Sequence, residues 1–157
     1  MNRWITATAV FTFILSAFGD SATGHPKELF QLGSCFHFAQ NKGDLHNNFV
    51  MAKAIGLNAM RDECYWVDCE KEPGILAVPG QFSQLLDAAN AAGIAPMIIC
   101  SYSNPFYDGE GYPTSEAAQE GYVNYCAALV KEANGRAAFF QIWNEWDGEC
   151  GMAPQFH

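Results

Sequence analysis

The sequence predicts an α/β fold of parallel strands covered by helices, and three observations support it. Predicted helices end at Gly56, Gly93 and Gly135, and an apolar segment follows each of them almost at once. These segments are short and continuously apolar, which is typical of strands buried on both faces of a parallel sheet. The helix-to-strand joints are short and the strand-to-helix loops are long. We therefore expect about four βα units, with the polar residues of function at the strand carboxyl ends.

The first two units come from the first half of the chain. Residues 32–38 are expected to form the first strand and residues 45–55 the helix that follows it. Residues 57–61 are expected as the second strand, before a long loop over residues 62–79. That loop carries five carboxylates, which are Asp62, Glu63, Asp68, Glu70 and Glu72. So many charges predict a solvated loop near the mouth of a cleft.

The last two units repeat the plan. Apolar residues from Phe82 to Ala89 follow the i, i+3, i+4, i+7 spacing of an amphipathic helix. A strand is expected over residues 94–100, and Thr114-Ser115-Glu116 is expected to open the next helix with a hydroxyl cap and an acid. The last apolar run, residues 137–143, is interrupted only by Gln141 and ends on an Asn-Glu pair.

Composition excludes several classes of function. The 157 residues carry a formal charge of −9, and half of them are hydrophobic. Nucleic acids and anionic membranes both favour basic surfaces, so neither is expected as a partner. No glycine-rich fingerprint follows the first strand, which argues against nucleotide-binding folds. We expect a soluble domain that acts on a neutral or cationic ligand without a cofactor.

The N-terminus has the layout of a secretory signal peptide. Arg3 precedes an apolar stretch over residues 4–18, and small residues follow up to Gly24. The stretch is shorter than the roughly 20 residues that span a bilayer. We expect residues 1–24 to be a signal peptide and residues 25–157 the exported domain, secreted or periplasmic and free of the membrane. A buried helix of the mature fold is the alternative interpretation.

All six cysteines follow the predicted signal peptide, and export would permit disulfides. Cys64 and Cys69 flank a short segment and are the favoured local pair. Cys100 and Cys126 lie in apolar surroundings, as core thiols do. Cys35 lies near a histidine, but the usual Cys-x2-Cys or His-x3-His spacing is missing, so no metal site is expected.

The predicted strand ends bring together residues suited to chemistry. Glu145 stands between tryptophans, where desolvation would let a carboxyl group keep its proton near neutral pH, as a general acid must. Asn144 can donate a hydrogen bond to a substrate hydroxyl, and Arg61 is a fixed cation that can orient a carboxylate. The candidate substrate-binding residues are His37, Trp66, Tyr102, Asn104 and Trp146. The structural alternatives are a core histidine at position 37 and an ion pair at Arg61.

Two short segments resemble a known family. Phe140-Gln141-Ile142-Trp143-Asn144-Glu145-Trp146 at the fourth strand and Asn58-Ala59-Met60-Arg61 at the second resemble clan A glycoside hydrolases, which include cellulase-like and β-xylosidase-like enzymes. The resemblance covers about residues 30–150 and implies the first half of a (β/α)8 TIM barrel. It also implies that Glu145 is the general acid/base, that Asn144 contacts the sugar 2-hydroxyl and that Arg61 supports the nucleophile.

The same resemblance implies that something is missing. Retaining glycosidases need a second carboxylate about 5–5.5 Å from the first, and the family takes it from its seventh strand. This sequence supplies about four units, whereas a barrel typically takes about 250 residues. We therefore expect a retaining hydrolase of an oligo- or polysaccharide in a truncated form. Half a barrel also leaves open strand edges, which predict self-association.

Two alternatives stand beside this hypothesis. A half-barrel could serve as a carbohydrate-binding or interaction module without hydrolysis. Four parallel strands could instead form a small, open, doubly wound sheet, and a strand order that reverses direction would identify it.

Overall fold

The computed structural model describes residues 30–109 and 111–145, which hold four strands and four α-helices. The strands are β1 (Gly33–Cys35), β2 (Ala59–Tyr65), β3 (Ala95–Ser101) and β4 (Phe139–Ile142). The helices are α1 (Leu45–Ala54), α2 (Trp66–Cys69), α3 (Gly80–Ala91) and α4 (Glu116–Ala133), with a 3-10 helix at Phe38–Gln40. No helix in this part of the chain is both long and apolar enough to cross a bilayer. The predicted signal peptide lies outside the described residues.

The four strands form one parallel sheet in the order β1-β2-β3-β4. Each strand pairs with the next one along the chain, and a helical segment connects each pair. A doubly wound sheet would reverse its strand order at a switch point, and this sheet does not. The α/β prediction is confirmed, and the consecutive order is that of four units of a (β/α)8 barrel.

The predicted starts and stops of the helices are also present. The Asp44 side chain accepts a hydrogen bond from the Asn47 N–H at 2.8 Å and caps α1, and Ser115 caps α4 through the Ala118 N–H at 3.2 Å. Gly93 follows α3 with a φ of 67°, in the left-handed region that favours glycine. These local signals explain why each helix ends shortly before the next strand.

The hydrophobic core lies between the sheet and the helices. Leu86 of α3, Leu129 of α4 and Ile98 of β3 have no exposed surface. Burying one such side chain contributes about 1.5–3 kcal/mol relative to leaving it exposed. This core fixes the positions of the strand ends, where the candidate site is found.

The second strand corrects the sequence prediction. It runs four residues beyond Arg61, so Arg61 lies within β2 and not at its end. The expected solvated loop begins with buried carboxylates instead: Asp62 is 1% exposed and Glu70 is 1% exposed. Burial is tolerated because each carboxylate accepts hydrogen bonds; Asp62 accepts them from the Phe38 and Glu63 N–H groups at 2.8 and 2.9 Å. A count of charged residues does not reveal these donors.

The edge strands are shorter and more exposed than predicted. β1 has only three residues, because the chain turns at His37, whose φ is 61°, into the 3-10 helix. β4 was expected to be buried, yet Phe139 and Ile142 are 51% and 62% exposed. Each edge strand pairs on one side only among the described residues, which leaves the sheet open.

Candidate active site at the strand carboxyl ends

A hydrogen-bonded network joins β2, β4 and the loop after β3. The Arg61 Nε donates to Gln141 Oε1 at 3.1 Å, and its Nη2 donates to Asn144 Oδ1. Asn144 Nδ2 in turn donates to the Tyr102 hydroxyl at 2.9 Å. The structure therefore brings together three of the residues predicted from the sequence, Arg61, Tyr102 and Asn144. We call these three residues, together with Gln141, the rim network.

The rim network fixes how the Asn144 amide is turned. Its Oδ1 accepts from Arg61 and, at 3.4 Å, from Gln141 Nε2, while its Nδ2 donates to Tyr102. Rotating the Asn144 amide by 180° would place its N–H groups opposite the N–H groups of the Arg61 guanidinium, with no acceptor between them. The observed orientation is therefore the stable one. An amide nitrogen carries two hydrogens, and one of them goes to Tyr102. The second is the donor that a ligand hydroxyl can use.

The backbone after β4 adopts an unusual conformation. Trp143 and Glu145 have φ values of 62° and 49°, in the left-handed region that residues other than glycine seldom enter. Such a conformation costs roughly 1–3 kcal/mol and persists where the surroundings hold it. Here the buried Trp143 ring packs on Tyr102, Tyr112 and Tyr122, with ring centroids 4.9–5.7 Å apart. Trp143 is thus a core anchor for the turn that presents Asn144 and Glu145.

Glu145 stands at the exposed end of this turn. Its position directly after Asn144 places a carboxyl group next to an oriented amide at the strand ends. That arrangement can combine a proton donor or acceptor with a hydrogen-bond donor to the same ligand. The sequence predicted a desolvated carboxyl group at this position, whereas Glu145 is exposed in the structure because the Trp143 ring packs into the core and not over it.

His37 belongs to a second cluster, centred on Glu63 at the end of β2. Glu63 Oε1 lies 3.2 Å from His37 Nδ1 and accepts hydrogen bonds from Gln40 Nε2 at 2.5 Å and Tyr65 Oη at 3.0 Å. Burial by itself would raise the pKa of Glu63, but these hydrogen bonds outweigh it and hold the pKa below its ordinary value. Burial and the bond to Glu63 raise the pKa of Tyr65 to about 12. Glu63 is therefore an ionised anchor that orients His37.

A cavity of about 360 Å³ lies beside the Glu63 cluster. It is bounded by the 3-10 helix, the end of β2 and the start of α3, and Lys42, Asp44 and Asp68 supply charge to its walls. Arg61, Asn144 and Glu145 do not line it. The cavity and the rim network are therefore at different places in the molecule, and the rim network lies on the open side of the sheet. The proposed chemistry rests on the rim network because hydrogen bonds orient its side chains.

Two predicted substrate-binding residues belong to the core, which corrects the prediction. Trp66 is 1% exposed; it stacks on Tyr107 and donates from Nε1 to Glu70 Oε2 at 2.6 Å. Asn104 is fully buried and donates from Nδ2 to the Glu70 carbonyl at 2.9 Å. Neither side chain offers a free surface to a sugar, because both are hydrogen-bonded to Glu70, which links the loops after β2 and β3. Trp146, the remaining predicted contact, lies outside the described residues.

One of the two site residues missing from the predicted set, Gln141, has a partial signal in the sequence. Gln141 is the one polar residue in the apolar run that precedes Asn144, and an interruption of that kind marks a side chain with a partner. Glu63 had no such signal, since it was one of five acids in a segment taken for a solvated loop. Within the described ranges, no group of three or more His, Cys, Asp or Glu residues is placed to hold a metal ion.

Comparison with known proteins agrees with this architecture. No protein-family model and no curated protein matches the sequence. A family 39 glycoside hydrolase from the gut symbiont Bacteroides cellulosilyticus WH2 aligns with a TM-score of 0.65 and 28% identity, over 73% of this chain and 24% of that one. A β-glucosidase from Exiguobacterium marinum aligns at 0.55 with 13% identity, over 64% of this chain and 24% of that one. A further β-glucosidase, 1317, aligns at 0.53 with 21% identity, over 64% and 27%.

These matches confirm the resemblance to clan A glycoside hydrolases. The two β-glucosidases support the fold alone at their levels of identity, whereas the family 39 structure shares more of the sequence. The chain spans about a quarter of the length of each of these structures. It therefore has a glycosidase-like fold and corresponds to part of a TIM barrel.

Proposed function

We propose that this chain is part of a secreted, retaining glycoside hydrolase that cleaves O-glycosyl bonds in an oligo- or polysaccharide. The observation that carries the proposal is the rim network, which orients the Asn144 amide beside Glu145 where parallel strands end. The likeness to a family 39 glycoside hydrolase supports the reaction class.

Glu145 is the proposed general acid/base. In a retaining mechanism this group first protonates the leaving glycosidic oxygen and then deprotonates the water that releases the sugar from the enzyme. Its exposed position after β4 gives a glycosidic oxygen access to the carboxyl group. The rigid strand and the anchored Trp143 limit how far the carboxyl group can move.

Asn144, Arg61 and Tyr102 are proposed to position the sugar. The second Nδ2 hydrogen of Asn144 donates to a ring hydroxyl next to the scissile bond. Arg61 acts on Asn144 directly, through its bond to Oδ1, and this is a more specific role than the support of a nucleophile that the resemblance implied. His37 and Trp146 complete the proposed sugar contacts, His37 with its ring held by Glu63.

The nucleophile is proposed to come from a strand beyond β4. The acids near the second strand are already engaged, Asp62 by backbone N–H groups and Glu63 by its three neighbours. These donors hold both carboxylates in place, Asp62 through both oxygens and Glu63 through Oε1, and neither carboxylate belongs to the rim network. We therefore expect residues 1–157 alone to release little or no product from aryl glycosides.

The decisive experiment completes the barrel. The strands that follow the matched segment in the Bacteroides family 39 structure are appended after Trp146, and release of nitrophenol from aryl glycosides is measured. We expect turnover, and Glu145→Gln should lower kcat/KM by about 10²–10⁴-fold because proton transfer is lost. Glu72→Gln, a change of an exposed acid away from the network, should leave kcat/KM unchanged.

Two results would contradict the proposal. A folded, completed barrel that cleaves no aryl glycoside would count against hydrolysis, as would a Glu145→Gln variant of full activity. Robust turnover by residues 1–157 alone, abolished by Glu145→Gln, would place the nucleophile within this chain. Stoichiometric binding of oligosaccharides without turnover would favour a binding module.

Export and self-association are further parts of the proposal. N-terminal sequencing of protein recovered from the culture fluid or periplasm should begin near residue 25, and protein that keeps its first residues would contradict export. The open edges of β1 and β4 predict dimers or larger species in light scattering. Replacing the exposed Phe139 and Ile142 of β4 with Lys should shift the population towards monomer.

A further inference from the structure

A group of buried cysteines lies in the core between strands and helices. Cys64 is on β2, Cys69 is the last residue of α2, and Cys100 is on β3 in direct register with Cys64. They are 5%, 1% and 0% exposed. The proposed hydrolase chemistry uses none of them.

The sulfur atoms form pairs and not one shared cluster. Cys64 Sγ lies 3.6 Å from Cys69 Sγ. Although Cys100 is the register neighbour of Cys64, its thiol hydrogen-bonds to Cys126 instead. Cys69 is therefore the hydrogen-bond partner that the geometry gives to Cys64.

Metal binding does not explain this pairing. No set of three or more suitable ligands converges in the part of the chain that the structure describes, and structural zinc sites take four. Ordinary apolar packing explains why a thiol is buried, but it does not require a second sulfur beside the first one. Two cysteines five positions apart, meeting across a strand-to-helix junction, are arranged as a dithiol.

We propose that Cys64 and Cys69 form a disulfide bond during folding in an oxidising compartment. The oxidant is a disulfide, either of glutathione or of a thiol–disulfide oxidoreductase. One cysteine thiolate attacks the oxidant to give a mixed disulfide and a leaving thiol. The second thiolate then displaces the remaining thiol. The protein loses two protons and two electrons, and the oxidant is reduced either to two glutathione thiols or to the dithiol form of the oxidoreductase. The pairing does not depend on the proposed hydrolase activity.

The geometry requires only a small adjustment. A disulfide has a sulfur–sulfur distance of about 2.05 Å, so the two sulfurs must approach each other by about 1.5 Å from their separation of 3.6 Å. The bond would close a ring over residues 64–69 and hold α2 against the end of β2. That ring contains Trp66, which anchors the loop core.

Burial sets when the bond can form. The neighbouring Cys69 thiol and then burial raise the pKa of the Cys64 thiol far above its ordinary value. Since the thiolate is the reactive form, the folded dithiol should exchange slowly. Oxidation is expected while the chain folds, before Cys64 and Cys69 are enclosed.

Peptide mapping tests the pairing without any mutation. Trypsin cleaves after Arg61 and Lys71, so both cysteines fall in the peptide of residues 62–71, whereas Cys100 and Cys126 fall together in residues 72–131. The full chain is refolded in a glutathione redox buffer, alkylated with iodoacetamide and digested. We expect peptide 62–71 to be unalkylated and two hydrogen masses lighter than its dithiol form. Two alkylated thiols there, or a link from 62–71 to another peptide, would overturn the proposal.

Thermal unfolding supplies a second measurement. Closing a ring of this size should raise the Tm of the oxidised protein by about 5 °C over the reduced protein. Cys69→Ser should abolish the difference, while Cys35→Ser, at an exposed position, should keep it. A redox-dependent Tm that survives in Cys69→Ser would overturn the pairing, and the mapping on the unaltered chain decides the case if that variant does not fold.

Discussion

Two of the hydrogen-bonded networks among the described residues are of similar size and have opposite relations to solvent. The rim network joins Arg61, Gln141, Asn144 and Tyr102, and all four side chains are only partly buried. The second network is centred on Glu70 and is enclosed: its carboxylate accepts hydrogen bonds from Trp66 Nε1, the Gly74 N–H and the Tyr107 hydroxyl, each at 2.6 Å. We call this second group the Glu70 network.

The two networks differ in whether a hydrogen-bonding group is left for a ligand. In the Glu70 network both carboxylate oxygens and the backbone carbonyl accept hydrogen bonds, and Glu70 is buried, so the network offers no surface to a ligand. In the rim network one Asn144 hydrogen remains after the described bonds are counted. A buried network in which the polar groups are already bonded to each other holds loops together. A partly open network that keeps an unbonded donor can bind a ligand hydroxyl.

The largest effect is expected from removing the tryptophan that donates to Glu70 in the enclosed network. Trp66→Ala deletes a fully buried indole that stacks on Tyr107 and Tyr125. The cavity and the unpaired Glu70 should lower the free energy of unfolding by about 3–5 kcal/mol. Urea unfolding followed by circular dichroism measures it. Val67→Ala, an exposed position in the same helix, is the control and should cost well under about 1 kcal/mol. Equal losses in both variants would mean that Trp66 is not an anchor.

A smaller effect is expected from changing the charge of Glu70. In Glu70→Gln an amide N–H replaces one carboxylate oxygen and faces donors on either side, Trp66 Nε1 or the Gly74 N–H. Leaving a buried donor unsatisfied should cost about 2 kcal/mol. Glu72→Gln, an exposed neighbour, should have almost no effect on the free energy of unfolding.

The effect of Glu70→Gln on the free energy of unfolding should depend on pH. Burial would raise the pKa of Glu70, but its hydrogen bonds outweigh burial and lower the pKa below the ordinary value. A carboxyl with a lowered folded-state pKa contributes stability that is full above its unfolded pKa and is lost as pH falls through the folded value. The stability gap between the unaltered protein and Glu70→Gln should therefore narrow as pH falls below about 4.3, the ordinary value for a glutamate. A gap that is constant from pH 7 to pH 3 would contradict this account.

Local sequence patterns predict some of these features and not others. The βα order, the helix caps and the Asn144-Glu145 pair follow from local rules, since periodicity, glycine stops and a polar pair after an apolar run all act over a few residues. The same rules could not separate Trp66 from Tyr102. Both are aromatic residues in polar segments after strands, and only packing against α4 makes one of them core.

The carboxylates illustrate the same limit. Asp62, Glu63 and Glu70 were predicted to be solvated because they are charged and close in sequence. Their donors lie elsewhere: the Phe38 N–H is 24 residues from Asp62, and the Tyr107 hydroxyl is 37 residues from Glu70. A buried charge is tolerated only when such distant partners meet it, and no local pattern reports that. The rim network has the same character, since Arg61 and Asn144 are 83 residues apart.

The smallest change in the free energy of unfolding is expected from removing a single hydroxyl oxygen of the rim network. Tyr102→Phe removes the acceptor of Asn144 Nδ2 and leaves the ring that packs on Trp143. The free energy of unfolding should fall by about 1 kcal/mol or less, because the site is partly open and water can replace the lost partner. The Asn144 side-chain amide should nevertheless change its NMR chemical shift and exchange faster with solvent.

Tyr107→Phe is the matched variant in the enclosed network. It also removes one hydroxyl while keeping a stacked ring, but water cannot replace it as easily beside the buried Glu70. We expect it to cost more stability than Tyr102→Phe and to leave the Asn144 amide resonances unchanged. If removing either hydroxyl lowers the free energy of unfolding equally, or if Tyr107→Phe changes the chemical shift of the Asn144 amide, the two networks are one energetic unit. Separate responses would show that the loops can be held rigidly by one network while the other keeps a donor for a ligand.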